Sequence, residues 1–188
     1  MFSSREDWLQ AAVAELRPVF DMHGFPLPEK IRVTCGFPSS RARALNRHIG
    51  EHWSPIASED GTHEILISPV IDDPFDVFGI LVHELCHAAT DGDGHGKKFG
   101  KIARAVHLEG PLTATTVGFA FKSTFKQLVD GLEAYPHARL NVAAQRKVQS
   151  TRMLKASCPV CGYTIRLTQK WANLGLPTCP QDGSLFSL

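Results

Sequence analysis

His83-Glu84-Leu85-Cys86-His87 sets two imidazoles four residues apart, with a carboxylate beside the first. On a helix, positions four apart share one face with Cβ atoms about 5–6 Å apart. Two ring nitrogens so placed can converge on one ion at about 2.0–2.1 Å each. Glu84 then points beside the ion rather than at it, where a base for metal-activated water is needed. A chain with nine His and nine Glu in 188 residues would contain this pattern by accident about 0.02 times. The alternative is a structurally satisfied pair of histidines.

Phe75, Phe78, Leu81, Val82 and Leu85 recur at helical spacing around the motif, after a start signal at Asp72-Asp73-Pro74. A buried helix over about 75–89 is therefore expected, and polar side chains buried on it need partners. Cys86 points away from the ion by helical geometry and is read as core. A tetrahedral catalytic site takes three protein ligands and leaves the fourth position to water. Downstream lies Asp91-Gly-Asp-Gly-His95-Gly96, whose glycines turn the chain back before Phe99, Ile102, Ala103 and Val106 resume a helical stripe near Lys97. His95 is the chosen third ligand. Glu109 is its rival, His107 and Asp93 are weaker ones, and His95 could instead cap the second helix.

His83-Glu84-x-x-His87 followed by His95-Gly96-x-x-Phe99 resembles the SprT-like (SprT/Spartan-type) zinc metallopeptidase family. The similarity extends over roughly residues 5 to 182, through an N-terminal helix, a strand, an Arg-rich helix and a hairpin leading into the metal helix. The resemblance implies a peptidase domain with three His ligands (His83, His87, His95) and Glu84 as base. It also implies activity on proteins bound to DNA, assisted by an accessory zinc or DNA-binding module. The short interval between His87 and His95 leaves little room for the insertion that some members carry.

A second cluster comprises Cys158-Pro-Val-Cys161-Gly and Cys179-Pro-Gln-Asp182-Gly, with 17 residues between Cys161 and Cys179, a zinc-ribbon spacing. Asp182 stands where a fourth cysteine is expected, and its oxygen can also bind zinc. Three readings stay open: a second, structural zinc held by Cys158, Cys161, Cys179 and Asp182; a ribbon without its metal; and a Cys-x-x-Cys redox pair. Tyr163 to Thr168 alternates as a strand, and Trp171 is expected to cover the metal or pack the small core.

The overall charge is +1, yet residues 1–138 carry 13 Lys/Arg against 18 Asp/Glu, and residues 139–188 carry seven against Asp182 alone. The division expected is a metallopeptidase domain over 1–138 and a basic linker with a zinc-ribbon-like module over 139–188. That basic segment could meet DNA phosphates, with Tyr163 and Trp171 stacking on bases, or be a solvated tail. Arg41, Arg43 and Arg47 form a smaller stripe on an expected helix over 39–50. No apolar run suits a signal or a membrane span. The cysteines form no disulfide framework, so a reducing cytoplasmic (intracellular) compartment is expected, with Cys35 a small buried apolar residue.

The elements that must position the site begin with a helix from a Ser4 cap to Met22. Strands are expected at 31–35, 53–58 and 63–69, the last two joined at Glu59-Asp60-Gly61. The 63–69 strand is placed beside the metal helix, as the edge that pairs with extended substrate. His48, His52 and His63 are read as surface residues. Leu112 to Phe121 is read as turn and strand, Ser123 to Leu132 as helix, and Tyr135-Pro136-His137 as the start of a linker. Tyr135 or His137 could stabilise an oxyanion.

The fold expected is α+β: a small zincin-like metallopeptidase domain, helices on a short antiparallel or mixed sheet, with a C-terminal zinc-ribbon-like β module. The function expected is that of a zinc-dependent endopeptidase taking protein or peptide substrates, without a membrane partner. Glu84 would move the proton and zinc would acidify its water to a pKa of about 7. The alternatives are a nucleic-acid-binding or regulatory adaptor with a structural metalloprotease-like domain, and a zinc hydrolase of small molecules.

Overall fold

The structure, a computed structural model, describes residues 2–40, 48–144 and 153–188. The chain divides into two units, Met1–Val142 and Ala143–Leu188. In the first, the Ser4 hydroxyl accepts the Asp7 N–H and starts helix α1 (Arg5–Met22), with Glu6 and Asp7 favourably placed at its positive end. Trp8, Leu9, Ala12, Leu16 and Phe20 of α1 are fully buried. Strand β1 (Ile31–Cys35) runs parallel to β3 (His63–Ile67), and β2 (Gly50–Trp53) pairs antiparallel with β3 on its other side. The sheet order is β1-β3-β2.

This order corrects two expectations. The 63–67 strand is the centre of the sheet, and its burial alternates buried–intermediate throughout. The edge strand beside the helix that carries His83 and His87 is β2. It forms at 50–53 rather than 53–58, because Pro55 has no N–H for a ladder and its fixed φ starts a 3-10 turn over Pro55–Ala57. The expected helix over 39–50 cannot reach its end, since Gly50 already pairs in the sheet. Its Arg41, Arg43 and Arg47 stripe lies outside the described residues.

Helix α2 (Pro74–Ala89) opens with Asp73 accepting the Asp76 N–H and Pro74 in its first turn, where a missing N–H costs nothing. Val77, Phe78, Leu81, Val82, Leu85 and Cys86 are all 0% exposed, each burial contributing about 1.5–3 kcal/mol for the large side chains. Phe78 sits edge-on to Trp8 of α1 and against Phe125 at 5.4 Å. Helix α3 (Lys97–Ala105) follows, then the two-residue strands β4 (Leu108–Glu109) and β5 (Thr116–Val117), and α4 (Phe119–Gly131). Helix α4 begins four residues before the expected Ser123, because Phe121, Phe125 and Val129 form one buried helical stripe. A Cβ on Gly79 would stand 2.2 Å from Val117 Cγ1, so the glycine lets β5 lie directly on α2.

Tyr135 and His137 do not begin a free linker. Tyr135 is buried edge-on to Trp8 at 5.1 Å. His137 Nε2 reaches the Pro69 carbonyl oxygen at 2.8 Å, and the Leu140 N–H donates to the same carbonyl.

The second unit holds an antiparallel pair, β6 (Leu154–Ser157) and β7 (Thr164–Leu167), and one turn of helix, α5 (Gln169–Ala172). Ala156, Cys158, Cys179 and Phe186 make its small core. Trp171 is 56% exposed and outside that core, contrary to the expectation that it would pack there. It lies beside an open groove with Leu174 and Met153. Among the described residues no helix is long and apolar enough to cross a membrane.

Candidate metal centre

Helix α2 carries His83 and His87 on one face, with ring centroids 5.1 Å apart. The chain leaves α2 through Thr90, whose hydroxyl donates to the Cys86 carbonyl. It then turns at Gly92 and Gly94, both with positive φ, a backbone that a side chain would strain. The turn returns His95 to the face of α2, 5.6 Å from the His83 ring and 4.6 Å from that of His87. One ligand nitrogen from each of the three rings lies within 4.8 Å of the others. The three imidazoles could hold a metal ion. Phe99, fully buried on α3, closes the back of the cluster at 5.0, 4.4 and 5.0 Å from the three rings.

The other candidates for third ligand have different places. Asp93 accepts the N–H groups of Lys98 and Phe99 and so caps α3, the role considered for His95. A Cβ on Gly96 would press within 2.8 Å of that carboxylate, which explains the glycine after His95. His107 is an exposed residue with φ 61° at the end of α3. Glu109 is exposed on β4, packed against Gly118.

His83 Nδ1 lies 2.8 Å from Thr115 Oγ1, which leaves Nε2 for an ion and fixes the ring. Nothing in the sequence marked this threonine, since it sits in an irregular loop between β4 and β5. Glu84 is 6% exposed. A Cβ at Gly50 would stand 2.3 Å from its Oε1 and 2.6 Å from Ile80 Cγ2, so the edge strand approaches closely enough to seat the carboxyl only because residue 50 has no side chain. The cavity in front holds about 500 Å³ and is walled by β2 and its approach (His48 to His52), by α2, and by Thr113 to Thr116. Tyr135 and His137, the expected oxyanion donors, do not line it.

His63 and His52 correct the expectation of surface histidines. His63 is buried on β3, and its Nδ1 lies 2.9 Å from Nε2 of the half-buried His52. The His52 ring stacks parallel to that of His87 at 6.1 Å.

Burial sets the electrostatics. It pulls His83 down to about 4, with His95 adding, and His87 down to about 3, with His83, His95 and His52 adding. His95 is lowered by burial as well. All three rings are thus neutral near pH 7, the form that offers a lone pair to a metal. Burial, and then the charge of Glu51, pushes the Glu84 carboxyl up to about 8.

In the second unit, donor atoms of Cys158, Cys161, Cys179 and Asp182 also lie within 4.8 Å of one another. The two halves fold alike. Gly162 N–H donates to the Cys158 carbonyl and Gly183 N–H to that of Cys179, and both glycines have φ near +75° (75° and 73°). Asp182 is oriented by the Ser184 N–H, which holds its carboxyl below the usual range, and Cys158 Sγ lies 3.3 Å from its Oδ2. All five cysteines are free, and these four residues too could hold a metal ion.

Compared with protein-family models, curated proteins and solved structures, the chain matches none.

Thr115→Val is expected to weaken metal binding about 10–100-fold, with Thr115→Ser near wild type, measured by competition with a chromogenic chelator. Stability of the chelator-treated protein should peak near pH 6.5. Lowered imidazole pKa values mean that the unfolded chain binds more protons below 6.5, so stability falls from there toward 4. The raised Glu84 value acts oppositely, removing stability as pH climbs from 4.5 to 8. Several histidines outweigh one carboxyl in the overlap. Glu84→Gln should therefore flatten the alkaline side and steepen the acid side in thermal melts across pH.

Proposed function

We propose that the first unit is a zinc-dependent endopeptidase of the SprT-like kind. The observation that carries this reading is the convergence of three neutral imidazoles beside a buried carboxyl, at a cleft bordered by the edge strand β2. Three nitrogen donors suit zinc and leave a coordination position open. When bound, the ion supplies a Lewis acid, acidifies water, and by its charge favours the ionised form of the neighbouring carboxyl. His83, His87 and His95 hold it, Thr115 keeps the His83 ring turned, and Phe99 excludes water from behind. Glu84 takes a proton from water entering the cleft and passes it to the leaving amine nitrogen. The outer edge of β2 offers backbone groups to an extended peptide, which fits a polypeptide substrate.

The second unit is proposed to be a zinc-ribbon-like module that meets nucleic-acid phosphate and so concentrates the peptidase on DNA-bound proteins. Lys155 and Arg166 face each other directly across β6 and β7, and both are exposed along with Lys170. Like charges directly opposite destabilise a sheet, a penalty that an anion between them would reverse. Tyr163 and Trp171 are 45% and 56% exposed, available for base stacking.

Glu84→Gln should abolish cleavage of a DNA-bound protein while leaving zinc content at the wild-type value, measured by gel assay and elemental analysis. Equal behaviour of wild type and variant on every substrate would favour an adaptor. Replacing Lys155, Arg166 and Lys170 with Ala in the full chain should weaken DNA binding and reduce the slope of log affinity against log salt by about 2–3. An unchanged slope would remove the DNA role.

A further inference from the structure

Two residues of β2 meet two residues of α2 in register. Side chains alternate along a strand, so Gly50 and His52 share a face about 7 Å apart. Gly50 lies against Glu84, and the His52 ring lies parallel to that of His87, one helical turn on. His52 lines the same cavity as the three converging imidazoles. The ring is held from behind. In the β2–β3 register His52 faces Ile65, which makes His63 its diagonal neighbour, and the two rings are joined at 2.9 Å through His52 Nε2 and His63 Nδ1. That bond occupies one nitrogen of His52 and leaves Nδ1. With His63 Nδ1–H as donor, the His52 hydrogen sits on Nδ1.

Other polar groups of the cavity are already engaged. Thr115 is taken by His83, Glu51 by the Ser39 hydroxyl and N–H, and His48 by Ser40. Thr113 lies in the turn between β4 and β5, and Thr116 lies on β5 paired with Glu109. An imidazole fixed by a second buried imidazole is an expensive way to fill a core, but it is a means of aiming a ring N–H without reorganisation.

We propose that His52, oriented by His63, is a further catalytic residue of the peptidase, donating a hydrogen bond to the oxygen of the scissile carbonyl. The inference rests on the peptidase reading above. As the water oxygen bonds to the carbonyl carbon, the C=O π pair moves onto oxygen, Glu84 receives the water proton, and His52 keeps its own. The donor acts where negative charge develops, so its contribution falls on kcat rather than on KM. His63 touches no substrate and is a positioning residue.

The full chain is assayed on fluorescein-labelled casein, with zinc content measured in parallel. His52→Ala should lower kcat about 10²–10³-fold with KM within about threefold and zinc unchanged. His52→Asn, whose amide N–H can stand in for Nδ1–H, should recover at least tenfold of that loss, and His63→Leu should fall between. A phosphinic pseudodipeptide, which carries tetrahedral oxygens, should bind His52→Ala at least tenfold more weakly than wild type, with acetohydroxamate binding both alike. Wild-type kcat in His52→Ala, loss of zinc from it, or equal phosphinate affinity would overturn the assignment. Should His52→Ala fail to fold, His52→Asn and His63→Leu decide: wild-type kcat and phosphinate affinity in both overturn it. A wild-type chain that never cleaves casein, or any DNA-bound protein, sinks the peptidase reading itself, a result distinguishable from the others.

Discussion

Glu84 and two imidazoles occupy a helix whose remaining inward positions are wholly apolar, and every neighbouring element is arranged around that burial. Removing a carboxyl and several ring nitrogens from water costs several kcal/mol unless each finds a partner. The cost is offset by the Phe78-centred aromatic cluster and the apolar face that anchors α2 against α1 and α4. The polar side chains then cannot retreat to solvent without breaking that packing. Their protonation states follow: rings kept neutral, a carboxyl kept from ionising by its surroundings. Such paired displacements in one cleft are what proton-transfer chemistry requires.

Close approach of backbone supplies the rest. Gly50 lets the edge strand touch Glu84, Gly79 lets β5 touch α2, and Gly96 admits the Asp93 cap that returns His95 to the helix. Each is a place where a methyl group would collide with the machinery rather than with solvent. The second unit meets a different constraint. With Ala156, Cys158, Cys179 and Phe186 as the buried cluster among its described residues, it has too little apolar area for a core of ordinary size. Two matched turns converging on one point suit a metal staple.

Helical periodicity made α1, α2 and α3 legible in the sequence, together with caps at Ser4 and Asp73, because each carries one apolar stripe. Other elements were not. β2 was misplaced by three residues because Pro55 interrupts a run that otherwise reads as strand. α4 was entered late because its first buried residue, Phe121, also fits an alternating pattern. The His83, His87 and His95 grouping could be anticipated from spacing, since a turn rich in glycine can only double back. The contributions of Gly50, Thr115, His52 and His63 could not, because they depend on which strand lies at the edge of the sheet, and strand order has no local signature. Trp171 shows the converse error: a large aromatic next to a metal motif suggested packing, whereas the one-turn helix carrying it holds it outward.

The most direct measurement is diffraction from crystals of the zinc-loaded full chain at energies above and below the zinc absorption edge. An anomalous peak is expected about 2.0–2.1 Å from one nitrogen each of His83, His87 and His95, with Glu84 beside it but outside bonding distance. A pocket without a peak, or a peak whose third protein ligand is any residue other than His95, would contradict the metal centre and the chemistry built on it.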